Sequence, residues 1–317
     1  MPWPTRVSSP DSQKCRNARS QACAGAWDTS SERRMALRPA SRISRPTASH
    51  AASYWVPTDA IRQLAVRCVE LGRNLTESAP MSNDNRPMIA VVEFEIETEN
   101  TTMSEWLDEW EKRAEDAYDH EPETTAYEAA VHVEDETRVL VYERYERGLA
   151  SLQIHMARPS HKVIGEAMGA GRMIKNRSLV NIAFDVPDYG WWSRPDVASP
   201  ATLADHSFIL LGMKFASPAH RAQFITMSAE HARYCAEAEP DTLVYSGGIV
   251  ADFPDSDPWA EGDLLFVMAC TDAAAVERHA TDPNHLALGE RLGKEGVEIT
   301  KAEGTQYRTT GRGFLWR

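Results

Sequence analysis

Two short stretches of the sequence hold the side chains with the clearest capacity for chemistry. "HMARPSH" occupies residues 155–161 and "HATDPNH" occupies residues 279–285. Each has a histidine, a proline four positions later and a second histidine two positions after that. Imidazole groups can bind a metal ion or transfer a proton near neutral pH. The same spacing in two places also indicates that part of the chain is repeated.

A metal site in the first stretch would need both imidazole rings on one face. His155 and His161 are separated by Pro159, so we expect them on different helical segments. The sequence has neither a His-Glu-x-x-His motif nor a closely spaced cysteine pair, and we predict no metal ion. The structural alternative to catalysis, which we favour, is that His155 and His279 end helices and satisfy terminal carbonyl groups, while the proline opens the next turn.

Comparison of the chain with itself extends the repeat. "EPETTAY" at 121–127 aligns with "EPDTLVY" at 239–245, an offset of 118 residues, and after one loop insertion the offset becomes 124, as from His155 to His279. The first copy predicts strands over 88–96, 124–132, 138–145 and 178–184, with helices over 102–118 and from Gly148. The resulting order is β-α-β-β-α-β.

That order predicts an α+β fold built from ferredoxin-like units, each an antiparallel sheet with both helices on one face. The other face of the sheet needs a cover, and the second copy can supply it. We therefore expect two tandem units, 88–185 and 205–317, closing face to face as an intramolecular barrel. In the linker at 186–204, Trp191 and Trp192 are expected to strap the chain to the barrel.

The charge distribution separates residues 1–87 from the rest of the chain. The net charge is −13, but residues 1–80 have an excess of Lys and Arg. The acidic remainder argues against nucleic acid as a partner, and no apolar run is long enough for a membrane span. We expect residues 1–87 to be a disordered or presequence-like extension with at most a short helix over 58–71, and Met81 is a candidate start. The scattered cysteines favour the cytoplasm, or mitochondria if the extension is a real presequence.

One segment makes a family resemblance visible. "EPETTAYEAAVHVEDETRVLVYERYERGLASLQIHMARPSH" resembles the antibiotic biosynthesis monooxygenase family of dimeric α/β barrels, and the resemblance extends over roughly 88–310. The family includes cofactor-independent oxygenases of polyketide anthrones and quinols, and haem-degrading enzymes. Glu123 and Asp241 depart from the glycine usual in the family's turn. The haem-degrading relatives have their axial histidine where this chain has Gly165 and Gly289, which disfavours haem.

The resemblance implies a monooxygenase of secondary metabolism that uses O2 on a small aromatic substrate without flavin, haem or metal. Such a reaction needs a base, stabilisation of an anion and exclusion of water. The candidate catalytic residues are His155, Tyr142 and Arg144. The candidate substrate-binding residues are Trp106, Trp110, Tyr127, Tyr145 and His132.

Each candidate also has a structural alternative. The two tryptophans suit a helix-sheet core, Arg144 suits a polar contact at the rim, and Tyr142 and Tyr145 must point to opposite faces of one strand. Copy two lacks the matching charged residues, so copy one is the expected active half.

The rival function is a non-enzymatic barrel that binds a small molecule or acts as a scaffold. A homodimer of such barrels is left open.

Overall fold

The computed structural model describes residues 85–317, apart from residues 171, 195, 197–203 and 254–255. Our expectations for the extension before residue 85, including the helix over 58–71, lie outside the described residues. Within the described part, fourteen elements follow one another along the chain. They are β1 (Met88–Ile96), α1 (Met103–His120), β2 (Thr124–His132), β3 (Arg138–Tyr145), α2 (Gly148–Ala157), α3 (Pro159–Ala170), β4 (Ile174–Asp185), β5 (Ala204–Phe215), α4 (Pro218–Ala238), β6 (Thr242–Val250), β7 (Leu264–Cys270), α5 (Ala273–Thr281), α6 (Pro283–Lys294) and β8 (Ile299–Thr310).

The eight strands form one closed antiparallel barrel in the order β1-β3-β2-β8-β5-β7-β6-β4. Each half of the chain contributes four adjacent strands in the same relative order. The halves are joined where β2 pairs with β8 over Ala130–His132, and where β4 pairs with β6 over Ala183–Asp185. The expected closure into a barrel is present, and hydrogen bonds join the two four-stranded sheets into one. Closure leaves neither sheet with a free edge.

A strap after the last strand of each half pairs with the other half. Trp191 and Tyr245 exchange backbone hydrogen bonds of 2.8 and 3.0 Å, which confirms the expected strap. Phe314 pairs with Tyr127 in the same way, at 2.8 and 2.7 Å, and this second strap was not expected. Each strap therefore lengthens a sheet that belongs to the opposite half.

Glycine and arginine hold each strap in place. A Cβ on Gly190 would lie 1.8 Å from the Tyr245 carbonyl oxygen, and a Cβ on Gly313 would lie 2.0 Å from that of Tyr127, so only glycine fits at this approach. Arg194 donates to carbonyl groups at the end of α4, and Arg317 does the same at the end of α1.

The first helix shows how local sequence sets an element. Thr102 and Glu105 form a reciprocal capping box at its N-terminus. Trp106 and Trp110 lie on one face of the helix and are buried, at 0% and 1% exposure, as the helix-sheet core alternative predicts. The layer between α1 and the outer surface of the barrel is therefore a true hydrophobic core.

The barrel has an interior and an outer layer of different composition. One buried cluster draws side chains from all eight strands and so lines the interior; Tyr142 belongs to it. Tyr145, three residues later, packs outside the sheet against α2. The expectation that these two tyrosines point to opposite faces is confirmed. No helix of the described residues is long and apolar enough to cross a membrane.

Candidate functional site

His155 lies in a buried polar cluster between the helices and the outer face of the barrel. Its Nδ1 atom is 2.8 Å from Glu121 Oε2 and 2.7 Å from Arg113 Nη2, while Arg113 Nη2 is also 2.5 Å from Glu121 Oε1. Thr124 donates to Glu121 from 2.9 Å. The side chains of Arg113, Glu121 and His155 are all no more than 2% exposed. The cluster is therefore a desolvated ion pair that includes an imidazole.

This arrangement corrects our view of how His155 ends its helix. The ring bonds to a carboxylate and not to the terminal carbonyl groups; instead Arg113 donates to the His155 carbonyl oxygen from 3.3 Å. Burial opposes ionisation of Glu121, but the hydrogen bond and charge of His155, together with Arg113, outweigh it and lower the pKa of Glu121 to about 2. The carboxylate is held ionised as a structural acceptor.

The two histidines of the first stretch meet despite the break between their helices. α2 ends at Ala157 and α3 begins at Pro159, as expected, yet the rings of His155 and His161 are 5.1 Å apart between centroids. The expected separate helical segments are present, but they do not keep the two rings apart, because the chain turns at Arg158 between them. Burial lowers the pKa of His161 to about 3, so its ring is neutral.

The second half repeats the carboxylate-histidine contact. His279 Nδ1 is 2.8 Å from Glu239 Oε2, and Thr242 donates to the same oxygen from 3.0 Å. His285 occupies the position of His161, with its ring centroid 4.6 Å from that of His279. The sequence repeat at "EPETTAY" and "EPDTLVY" therefore marks the acceptors for the two repeated histidines.

Tyr142 and Arg144 lie together on the interior face of β3, at the end of the barrel where β4 finishes. Arg144 Nη2 is 2.8 Å from Asp185 Oδ2, and both side chains are only 11% exposed. The guanidinium lies over the Trp192 ring at 5.3 Å. The Tyr142 ring is 5.0 Å from that of Phe208. The result is an ion pair enclosed by aromatic rings.

The electrostatics of this interior cluster favour a basic carboxylate. Burial raises the pKa of Asp185, although the charge and hydrogen bond of Arg144 oppose the shift. Burial also raises the pKa of Tyr142 well above its usual value, so the phenol stays protonated. Asp185 can thus accept a proton more readily than a surface aspartate, with a cation beside it.

The predicted catalytic residues do not all come together. Tyr142 and Arg144 share the interior, whereas His155 contacts Tyr127 and Tyr145 on the outer side of the sheet. One substrate atom cannot reach both sets, because the sheet separates them.

The predicted substrate-binding residues lie mainly in packing roles. Trp110 stacks on Tyr127 at 4.8 Å beneath α1, and Trp106 is fully buried in the same layer. Tyr145 donates to Glu143 from 2.6 Å in the outer layer. His132 Nδ1 accepts from the backbone N–H groups of residues 134 and 135, so it holds the turn after β2.

The opposite end of the interior is braced by a second carboxylate. Tyr307 donates to Glu93 Oε2 from 2.6 Å, while Arg138 and Ser178 donate to Oε1. Both oxygens of Glu93 are therefore occupied within the protein.

An open groove of about 360 Å³ follows the strap at Gly190–Arg194, and none of the predicted site residues lines it.

Three members of these clusters were missed in the sequence. Glu121 was noticed only as part of a repeat, Arg113 only as part of a helix, and Asp185 only as the last residue of the first unit. The one available signal was the Glu-x-x-Thr spacing shared by both copies, since a buried threonine beside a carboxylate indicates an acceptor site.

Together, fold and clusters define an α+β protein with a closed antiparallel barrel and buried polar groups on both sides of its sheet. No protein-family model and no curated protein matches the sequence. Among solved structures, a candidate monooxygenase from Lactobacillus acidophilus aligns with a TM-score of 0.54 and 12% identity over 73% of this chain and 99% of that chain.

Two further solved structures show a stronger and a weaker structural similarity to this chain. A candidate monooxygenase from Fusobacterium nucleatum aligns with a TM-score of 0.55 and 11% identity over 73% of this chain and 97% of that one. A chlorite dismutase from Candidatus Nitrospira defluvii aligns with a TM-score of 0.45 and 9% identity over 71% and 91%, too weak to support an argument. At these identities the likeness shows a shared fold and no more.

Proposed function

We propose that the protein is a cofactor-independent monooxygenase that oxidises a small aromatic substrate, an anthrone, phenol or quinol, inside the barrel. The observation that carries the proposal is the buried Arg144–Asp185 pair beside Tyr142, Phe208 and Trp192. Its members match the needs of the reaction: a carboxylate with a raised pKa, a fixed cation and an apolar aromatic surrounding. The fold shared with two candidate monooxygenases supports the same class.

In the proposed reaction, the ionised Asp185 removes a proton from the acidic carbon or hydroxyl of the substrate. Arg144 stabilises the anion that forms, while Tyr142 can donate a hydrogen bond to its oxygen. The electron-rich anion passes an electron to O2, and recombination forms a carbon-oxygen bond. For an anthrone, one oxygen atom ends as the new carbonyl and the other leaves as water, so no external reductant is needed.

His155 has no part in this proposed reaction, since it lies across the sheet. We assign it, with Glu121 and Arg113, to holding α1 and α2 on the barrel. We further propose that the two halves are tandem copies that form an intramolecular dimeric α/β barrel. Their common element order, the paired straps and the repeated carboxylate-histidine contact support this origin.

Oxygen uptake by the purified full chain tests the proposal. The protein is incubated in air with a panel of anthrones and quinols, without flavin or added metal. We expect turnover that falls at least about 100-fold in Asp185→Asn, because the general base is lost. Glu146→Gln is the matched control, since Glu146 contacts the same arginine from 2.9 Å but is 53% exposed. Absence of uptake with every substrate, or equal loss in both variants, contradicts the proposal.

One observation favours the second candidate, a barrel that binds or scaffolds without catalysis. Trp259 fills the interior beside Gly212, where a Cβ would lie 1.9 Å from the indole ring. A packed interior is what a structural barrel needs. Tight binding of an aromatic compound without oxygen uptake would favour this candidate.

A further inference from the structure

Three histidines from three helices meet in the outer layer of the second half. His231 lies on α4, His279 in the last turn of α5 and His285 on α6. Their ring centroids are 5.4, 5.4 and 4.6 Å apart, and one nitrogen from each lies within 4.8 Å of the others. His231 and His279 are 6% and 5% exposed. His285 Nδ1 is buried and makes no hydrogen bond.

The matching place in the first half is occupied by fixed charges. At the offsets of the repeat, His231 corresponds to Arg113 and Asp282 corresponds to Arg158. In the first half these two arginines neutralise Glu121 and Asp116. Tyr234 stands at the position of Asp116 in the second half, and its hydroxyl donates to Asp282 from 3.0 Å.

The second cluster therefore has two carboxylates, Glu239 and Asp282, and no guanidinium. Glu239 keeps its hydrogen bonds with His279 and Thr242, but the weakly donating thiol of Cys235 replaces the further contact that Arg113 gives Glu121. Among the described residues, no lysine or arginine forms an ion pair with either carboxylate. A divalent cation would restore the charge balance that the two arginines give the first half.

The ligand atoms are grouped as a metal ion needs them, because one nitrogen from each of the three rings lies within 4.8 Å of the other two. Glu239 accepts from Nδ1 of His279, the contact that commonly orients a metal-bound histidine and leaves Nε2 for the ion.

We propose that His231, His279 and His285 form a binding site for one divalent transition-metal ion of the zinc class. Three imidazoles suit Zn²⁺ and leave a fourth position open, while Cys235, whose sulfur is 3.3 Å from His231 Nε2, lies at the edge of the site. Zinc-nitrogen bonds of about 2.0–2.1 Å require the three rings to draw closer together. The site lies outside the barrel and does not depend on the proposed oxygenase reaction.

Metal titration of the full chain tests the site. Protein stripped with a chelator is titrated with ZnCl2 by calorimetry, and bound zinc is measured by elemental analysis after desalting. We expect one ion per chain, a higher thermal midpoint with Zn²⁺, and visible absorption typical of four-coordinate Co²⁺ when cobalt replaces zinc. A wild-type chain that binds no ion, or shows no rise in midpoint, overturns the proposal.

The repeat supplies matched variants. His231→Arg copies the arrangement of the first half, so it should fold and lose the ion, and His285→Ala should also lose it. Glu239→Gln should weaken binding about 10–100-fold. His161→Ala, the counterpart of His285 in the first half, should bind as wild type does. Full binding by both His231→Arg and His285→Ala would show that the ion is held elsewhere and would overturn the proposal. Loss of binding in His161→Ala would place the ion in the first half and would overturn it as well.

Discussion

Replacing Arg113 with methionine should expose how much the first-half cluster depends on its cation. The arginine is 1% exposed and its partner Glu121 is 2% exposed, so methionine keeps the packed stem but leaves the carboxylate without a guanidinium. Removal of one member of a buried ion pair costs about 3–5 kcal/mol. In the wild type, His155 and Arg113 together lower the pKa of Glu121 from 4.5 to about 2 against the effect of burial, so the ionised carboxylate depends on both neighbours.

The loss should depend on pH in a defined direction. In the wild type the pKa of Glu121 is lowered on folding, so its stabilisation is complete above pH 4.5 and is lost as the pH falls toward 2. In Arg113→Met only His155 remains to oppose the effect of burial, so the pKa of Glu121 should be higher than in the wild type. The penalty then disappears as the pH falls and the carboxyl group takes up a proton. The difference between the two proteins should therefore be greatest at neutral pH.

Urea unfolding followed by circular dichroism at pH 7 and pH 4.5 measures both quantities. We expect the free energy of unfolding to fall by about 3–5 kcal/mol at pH 7 and by a smaller amount at pH 4.5. Arg291→Met is the control, because its pair with Glu230 is nearly half exposed on both sides and should change stability by less than about 1 kcal/mol. A pH-independent loss in Arg113→Met would refute the reasoning.

Two further predictions concern packing. Gly313→Ala should destabilise the protein by roughly 1–3 kcal/mol, because its Cβ would press on the Tyr127 carbonyl oxygen. Gly289→Ala, on the open face of α6, should stabilise the protein by about 0.5–1 kcal/mol. Unfolding midpoints that move in the same direction for both variants contradict this. Trp110→Ala should lower the free energy of unfolding by about 3–5 kcal/mol, because the indole is buried on Tyr127. Leu286→Ala, at a side chain that is 55% exposed, should lower it by under about 0.5 kcal/mol. Equal losses in urea unfolding would show that the layer under α1 is not a core.

Local pattern determines much of this fold. β1, β2 and β3 occupy the predicted residues, since their β-branched and aromatic residues suit a pleated surface and one side is buried in the barrel. β4 begins four residues earlier than predicted, at Ile174. After Ile174 come three polar residues, Lys175, Asn176 and Arg177, so this segment has no apolar-polar alternation, and only its pairing with the end of β1 makes it a strand.

The site depended on contacts that no local pattern contains. Glu121 meets His155 across 34 residues and two strands, and the distance between them is set by how α1 and α2 each pack on the sheet. The closeness of His155 and His161 depends on the turn angle at Arg158, which spacing alone does not fix. Asp185 becomes a partner of Arg144 only because β4 and β3 both flank β1.

The two halves also show why a repeated motif need not mean a repeated function. Both keep the Glu, Thr and His that hold helices on the sheet, so this contact satisfies a structural need common to both halves. The positions around it have changed together, because His231 can replace Arg113 without an uncompensated buried charge only if something else supplies the cation. If zinc does so, the second half has exchanged a built-in positive charge for one whose presence depends on metal supply. The first half cannot make that exchange while Arg113 remains 2.7 Å from His155.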